Sequence, residues 1–451
     1  MTAIAINPFV TYTDASGLPL AGGKIYTYAA GTTTPQATYT DATQISTATN
    51  PIVLDTAGRV TYGAIWGSGS YKLRLTTSTD VDIYTVDNVQ ATATIPDGTT
   101  ISTPTAGDNS TKISNTAFTQ NAINIYSAGF INKFRNASLD IWQRGNSITV
   151  TAGSPAYTAD GWIVSCTGAN IVVSKSSSAL NSSYNSMLLT GATSVTGTTV
   201  KQRIEGAFAW QMYRAGSNIT VQCIVSNNTG ASITPTLTVA IPTAIDNYTG
   251  VTTVVNAASL QPVSNSTTVV LSYTFSTPSN LANGMEVTFD FGAILTSGAK
   301  SVQLSAFDIR STPGVPVGLN GNPPQPELRP ISIEYVINQR YVRTSFSVGT
   351  TPAQNAGVTN AFEFSQTRGA STNGFPPKVL FDQPMFAAPT VTIYNPSAAN
   401  AQIRNFGTGT DGSLTSVFAS YANGFNVQYT SPAASSIGDI CGFHYFATAE
   451  L

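Results

Sequence analysis

One histidine, His444, serves the whole chain of 451 residues, so a Ser-His-Asp or Cys-His catalytic arrangement would have to run through it. It stands in Gly442-Phe443-His444-Tyr445-Phe446, an apolar, strand-like run, and no nucleophile elbow accompanies it. It therefore reads as a packed or rim-positioned histidine. Paired carboxylates are the other route to chemistry, since glycoside hydrolysis needs two of them held ~5–9.5 Å apart. Glu286 and Asp290 share one face of the strand-like stretch Met285 to Phe291, but a rise of ~3.3 Å per residue puts them about 13 Å apart along it. Asp80 and Asp82 are closer, beside a Thr/Ser turn with no sign of a pocket. Both pairs read as a solvated strand face or a turn. Cys166, Cys223 and Cys441 lie far apart and match no metal spacing, so they read as small core residues. No H-E-x-x-H, P-loop, post-strand G-x-G-x-x-G or calcium loop occurs. The expectation is a protein with no catalytic residue, cofactor or metal ligand.

Recognition chemistry is better represented. Near the C-terminus Tyr394, Tyr421, Phe425 and Tyr429 stand among Asn395, Asn423 and Gln428. Sugar binding combines aromatic faces, which cover the apolar side of a ring, with polar groups that fix orientation. Tyr421, Asn423, Phe425 and Tyr394 are the candidate receptor contacts. Residue by residue, the same aromatics would also fill a small sandwich core. Asn423-Gly424 is a turn signal, so at least one of Tyr421 and Phe425 is expected near a loop and reachable.

The elements that must position these residues are strands. Charged residues make up 9% of the chain, against about 25% in ordinary soluble domains. Hydrophobic residues reach 41%, aromatic residues 10%, and the formal net charge is −2, which together predict a folded chain with a neutral polar surface. The 20 basic residues are scattered, which argues against nucleic acid as a partner. No apolar run approaches the ~20 residues of a membrane span, and the opening MTAIAINPFV lacks the positive charge of a signal peptide. Residues 1–90 alternate through short runs such as Lys24 to Tyr28 and Tyr71 to Leu75, with Gly and Pro between them, the pattern of a β-sandwich. Residues 91–129 begin as a Thr/Ser/Pro/Gly linker. Within it Ala117, Phe118, Ala122, Ile123 and Ile125 form one short helical stripe, too short to stand alone in water. Phe118, Ala122 and Ile125 are therefore candidate contacts between identical chains. Residues 130–344 predict a two-sheet jelly roll, with strands at Asn218 to Val225, Thr234 to Ile241, Thr267 to Phe275, Met285 to Ile294 and Ser301 to Ile309. It closes on a short helix after Pro330, with a stripe Ile333, Ile337, Tyr341, running into a strand. Residues 345–451 predict a second small β-sandwich. The fold class is all-β: three sandwich or jelly-roll modules in series with a short helical linker.

Four segments then carry a resemblance. Asp14-Ala15-Ser16-Gly17-Leu18-Pro19-Leu20-Ala21-Gly22-Gly23-Lys24-Ile25-Tyr26, with Thr49-Asn50-Pro51-Ile52 and Tyr71-Lys72-Leu73-Arg74-Leu75, resembles the N-terminal anchoring domain of phage tail fibres and tailspikes. Gly107-Asp108-Asn109-Ser110-Thr111 through Phe118 is similar to a motif of phage fibre shafts. Asn136, Asp140-Ile141-Trp142-Gln143-Arg144-Gly145 and Tyr157-Thr158-Ala159-Asp160-Gly161-Trp162 resemble the opening of a carbohydrate-binding-like jelly roll of phage structural proteins, closed in that family by Glu327-Leu328-Arg329-Pro330 and Gln339-Arg340-Tyr341. Ala388-Pro389-Thr390-Val391 and the terminal Tyr445 to Leu451 look like the end of such fibres. The resemblance implies a homotrimeric tail fibre of the virion, assembled in the host cytoplasm. Residues 1–90 would dock on tail or neck proteins, and the C-terminal tip would meet a host-surface glycan or protein. A head fibre or decoration protein is the alternative. A polysaccharide-degrading tailspike is the enzymatic rival, but the ~20–30-residue repeat of a β-helix is missing. A bacterial surface adhesin comes last.

Overall fold

The computed structural model describes residues 3–6, 9–91, 119, 130–180, 183–213 and 217–451. Apart from Ala91 and Thr119, the 91–129 linker lies outside the described residues, and with it the contacts Phe118, Ala122 and Ile125. The chain divides into two compact units, residues 1–102 and residues 103–451.

In the first unit an antiparallel sheet runs in the order Ile52–Val53, Lys24–Ala29, Gly69–Thr76, Asp82–Ala91, and Ala3–Ile6 pairs separately with Ile65–Gly67. Leu20, Ile25, Ile52, Leu54 and Ile65 form its small core. Each such side chain contributes about 1.5–3 kcal/mol by leaving water. The turn at Asp14 is built as its sequence suggests: the carboxylate accepts the N–H groups of Ser16 and Leu18 at 2.8 and 3.0 Å.

The second unit contains the jelly roll. A seven-stranded antiparallel sheet has the order Gly318–Leu319, Thr268–Ser276, Asn218–Asn228, Ser301–Ser311, Ser186–Thr190, Ile171–Ser176, Ser147–Val150. A six-stranded sheet has the order Asn247–Ser259, Thr236–Ala244, Met285–Asp290, Gly197–Ile204, Trp162–Thr167, Ala156–Tyr157. Alternation explains the packing: in Gly197–Ile204 and Met285–Asp290 every second side chain is buried, and these rows meet Val221, Leu271 and Ile309 of the opposite sheet in one core. Phe134, Trp162, Phe289 and Phe307 form an aromatic centre, with Trp162 and Phe307 3.9 Å apart between ring centroids. Cys166, Cys223 and Cys441 are free and buried, as their apolar neighbours suggest.

The pieces 130–344 and 345–451 belong to this same unit. The strand Val342–Thr344 already pairs with Ile440–Thr448, so the segment that closes the jelly roll opens the next sheet. Ile440–Thr448 also pairs with Phe362–Ser365, Thr390–Tyr394 and Arg404–Asn405. A further sheet gathers Asn373–Gly374, Val379–Leu380 and Ser413–Tyr421 around Gly424–Thr430.

The closing helix, Ile331–Asn338, forms where Pro330 places it, but most of its apolar side chains do not face inward. Its buried residues are Glu334 and Asn338, while Ile331, Ile333 and Val336 are exposed. Of the expected stripe Ile333, Ile337, Tyr341, Ile333 is corrected to an exposed position, whereas Ile337 is half-buried and Tyr341 is buried just beyond the helix. Glu334 wins the inward place because Arg329 and the N–H of Asn136, at 2.7 Å, satisfy its carboxylate there.

Candidate functional site: an aromatic and amide sheet face

The four expected contact residues separate. Phe425 is 0% exposed and lies in the core with Val427 and Tyr429, so it is removed as a receptor contact. The physical reason is the period-two alternation of Gly424–Thr430, which sends these three side chains to the same inner face. Tyr394 is half-buried in the other sheet, edge-on to Phe346 at 5.4 Å and opposite His444, so it does not join Tyr421. Tyr421 and Asn423 do come together. They flank a tight hairpin in which Tyr421 pairs with Gly424, and Gly424 takes φ +147° with no room for a Cβ beside the Val379 carbonyl. The Lys378 ammonium sits 4.5 Å from the centroid of the Tyr421 ring and 3.4 Å from the Asn423 side-chain oxygen.

The outer face of this sheet adds residues that sequence reasoning did not single out. Register pairs Ser416 with Gln428 and Ala419 with Asn426, and a bulge between Val417 and Ala419 leaves Phe418 as the extra residue, turned outward. Phe375 reaches the same face because Gly374 passes tight against Tyr429, where a Cβ would fall 2.6 Å from the ring. Phe375 and Phe418 meet edge to face at 5.5 Å and 76°, and are 54% and 53% exposed. Tyr421, 47% exposed, lies three residues beyond Phe418 on the same strand, which pairs with the strand of Asn426 and Gln428 and turns at Asn423. Such a face can cover the apolar side of a sugar ring and hydrogen-bond its hydroxyls. The signals available were weak ones, Gly374-Phe375-Pro376-Pro377 and an aromatic in the Ser-rich strand Ser413–Tyr421.

The groups considered for catalysis are all engaged elsewhere. Glu286 is held by Lys201 at 3.1 Å and Arg203 at 2.8 Å, whereas Asp290 accepts the N–H of Gly292 in a turn. Asp80 pairs with Lys24 at 2.6 Å, and Asp82 with Arg74 at 2.5 Å. Among the described residues no three His, Cys, Asp or Glu side chains are grouped to hold a metal. His444 is buried, stacked on Phe346 at 4.3 Å, with Nε2 2.9 Å from the Gly357 carbonyl and Nδ1 2.9 Å from the Ser345 hydroxyl. These contacts suit a neutral ring: Nε2–H donates to the carbonyl, and Ser345 donates to Nδ1.

Burial lowers the His444 pKa from its ordinary 6.5, partly offset by the Gly357 carbonyl. Because the folded value lies below the unfolded one, the stability from the neutral ring is complete above about pH 6.5 and is lost as pH falls below it. Asp160 works in the opposite sense. Burial pushes its carboxyl up to about 6, so its protonation favours the fold as pH drops through that value. Comparison with His444→Gln isolates the histidine. Between pH 7.5 and 5.5 (about one unit either side of the ordinary imidazole value) the wild-type urea midpoint should fall more than that of the variant. Parallel pH dependences would contradict a neutral buried ring.

The jelly-roll residues quoted above for their resemblance converge in space. Asn136 is their hub: its side chain bonds Ile141 and the Asp160 carbonyl, its N–H reaches Glu334, and its carbonyl accepts the Trp162 indole at 3.2 Å. Gln143 donates to Asp160 at 2.6 Å, and Arg340 and Tyr341 both reach Glu205. Glu450, near the far end of the chain, is held by Arg135 and, at 3.3 Å, by Arg144. The few charges of this chain are thus spent largely on internal ties.

No family model matches the chain, and no curated protein matches it. Several solved structures are similar over part of it. The CBM22-1 xylan-binding domain from Paenibacillus barcinonensis is 16% identical, with 36% of this chain and 98% of that domain covered, at a TM-score of 0.25. The enzymatically active domain of tailspike protein 4 from bacteriophage CBA120 is 15% identical over 41% of this chain and 22% of that one, at a TM-score of 0.28. A xylan-binding domain of family CBM 22 is 13% identical over 42% of this chain and 100% of that one, at a TM-score of 0.26. At such scores no binding property passes from these proteins to this chain.

Proposed function

We propose that this chain is a non-catalytic virion fibre protein of a bacteriophage, a tail fibre that attaches to a glycan on the host surface. The observation that carries the reading is the outer sheet face with Phe375, Phe418 and Tyr421 half exposed beside Asn423, Asn426 and Gln428. Apolar rings presented to solvent are costly when they cluster with nothing to cover them, and the neighbouring amides match the hydroxyls of a sugar. The phage assignment draws its support from the motifs quoted above, whose jelly-roll members act together through the Asn136 hub. Residues 1–90 anchor the fibre on the virion. Competition for adsorption by the purified chain, with alanine in place of Phe375 and Phe418, tests the reading.

The fibre is a homotrimer. Support comes from the closing helix, which turns Ile331, Ile333 and Val336 outward where a lone subunit would bury them. Light scattering of the purified protein should give about three times the 47.1 kDa chain mass. A monodisperse monomer would remove the fibre geometry.

A further inference from the structure

The jelly roll carries a cavity well separated in sequence from the C-terminal face and lined by other chemistry. Between the strand Gly197–Ile204, the helical turns Gly206–Ala209 and Trp210–Met212, and the helix Ile331–Asn338 lies a cavity of about 310 Å³. That is the lower end of the ~300–1,000 Å³ range of small-molecule sites. Phe130, Phe208, Ile204, Ile337 and Tyr341 supply its apolar walls. Its charges are unbalanced: Lys133, Arg135, Arg203 and Arg329 line it against one carboxylate, Glu205.

Three of those cations are neutralised from behind. Arg135 pairs with Glu450, Arg203 with Glu286 and Arg329 with Glu334. Glu205 is itself saturated, by Arg340 at 2.9 and 2.7 Å and by the Tyr341 hydroxyl at 2.8 Å. Lys133 is the exception. Its ammonium donates to the Phe130 carbonyl at 2.6 Å and to the Gln211 side-chain oxygen at 2.8 Å, and among the described residues no carboxylate pairs with it. Glu327 is near enough to act on it through charge, but no ion pair joins them, and the Glu327 oxygens accept the N–H groups of Phe130 and Asn132. An ammonium has three donors, so one remains for a ligand. Burial and the neighbouring Arg329 lower its pKa, outweighing the opposing charge of Glu327.

We infer that this cavity binds one acidic pyranose, a ring of the uronic-acid type, with its carboxylate on Lys133. The apolar face of the sugar lies against Phe208, and the amide of Gln211, which already orients the ammonium, meets a ring hydroxyl. This site does not rest on the C-terminal face. A fibre could lose either and keep the other.

The test uses the whole purified chain and three probes at equal concentration: glucuronate, glucose and acetate, each followed by ligand-observed NMR. Glucuronate should bind saturably, and glucose and acetate should each bind at least about tenfold more weakly, since the charge and the ring are both required. Glucuronate affinity should fall with added salt. Lys133→Met should weaken glucuronate about tenfold or more, with Lys133→Arg retaining most of it, and Phe208→Ala should weaken glucuronate while leaving acetate unchanged. Glucose binding as well as glucuronate would overturn the assignment, as would acetate matching it, or no saturable binding at all. These wild-type comparisons decide the matter even if a variant fails to fold. Phe418→Ala, on the other face, should leave the glucuronate titration as it is.

Discussion

Arg329→Met should destabilise the protein by about 3–5 kcal/mol, read from urea denaturation at neutral pH. Arg329 and Glu334 are almost wholly buried, with 6% and 0% of their side-chain surfaces exposed. The guanidinium donates to Glu334 at 2.9 Å and also to the backbone carbonyls of Asn132 and Phe134. Methionine roughly fills the volume but leaves a carboxylate and two carbonyls without their donors in the interior. Burial already raises the Glu334 pKa, and Arg329 is the largest influence holding it down. Without Arg329 the Glu334 pKa should rise further, so the variant should take up a proton at higher pH than wild type, and its stability should recover as pH falls. Replacing both partners, Arg329→Met with Glu334→Gln, should restore part of the loss, because an isolated buried charge costs more than a missing pair. A single-variant loss below about 1 kcal/mol would show that the pair is dispensable.

Glu450→Ala should cost about 3 kcal/mol for the same reason, with the consequence localised differently. Glu450 lies between Arg135 and Arg144, which come from the opening segment of the jelly roll, and the preceding strand Ile440–Thr448 is the central strand of its sheet. Without the carboxylate, Arg135 keeps its stacking on Tyr341, at 3.7 Å, but loses its counter-charge, and Arg144 keeps Asp160 at 3.5 Å, the Thr448 hydroxyl and the Tyr157 and Phe446 rings. Hydrogen exchange should accelerate in Ile440–Thr448 and in its partner Val342–Thr344 before it does in the jelly-roll sheets. Uniform acceleration throughout residues 130–451 would mean that this tie is not local.

Local pattern is sufficient where apolar residues recur at a strand's period between turn residues. The strands Asn218–Asn228, Thr268–Ser276 and Ser301–Ser311 were legible because their apolar residues alternate or crowd together, bounded by Gly, Asn and Pro. Asn247–Ser259 was not. It is an edge strand whose side chains are mostly exposed, so nothing in its pattern reports a core. The closing helix was placed correctly by Pro330, yet Ile333 is exposed where an inward place was expected, and Glu334 and Asn338 are buried instead. Glu334 is drawn in by Asn136, which lies 198 residues away, and no window of sequence contains both. On the candidate face, Phe425 belongs with Val427 and Tyr429 by simple alternation, and that pattern could have been trusted. Phe418 depends on a bulge, and Phe375 on the approach of Gly374 to Tyr429, neither of which a local pattern announces. Tyr421 and Asn423 were accessible to sequence reasoning because Asn423-Gly424 marks its turn unambiguously.

The most direct measurement is adsorption competition with the purified 451-residue chain. Purified wild-type chain, added to host cells before virions, should reduce adsorption in a saturable manner. The double variant Phe375→Ala with Phe418→Ala should need at least about tenfold more protein for the same effect, since exposed aromatic contacts dominate such interfaces. Its melting temperature should stay close to wild type, because both rings are half in solvent and surface changes usually lie within about 0.5 kcal/mol. A double variant that competes as well as wild type, at an unchanged melting temperature, would contradict attachment through this face.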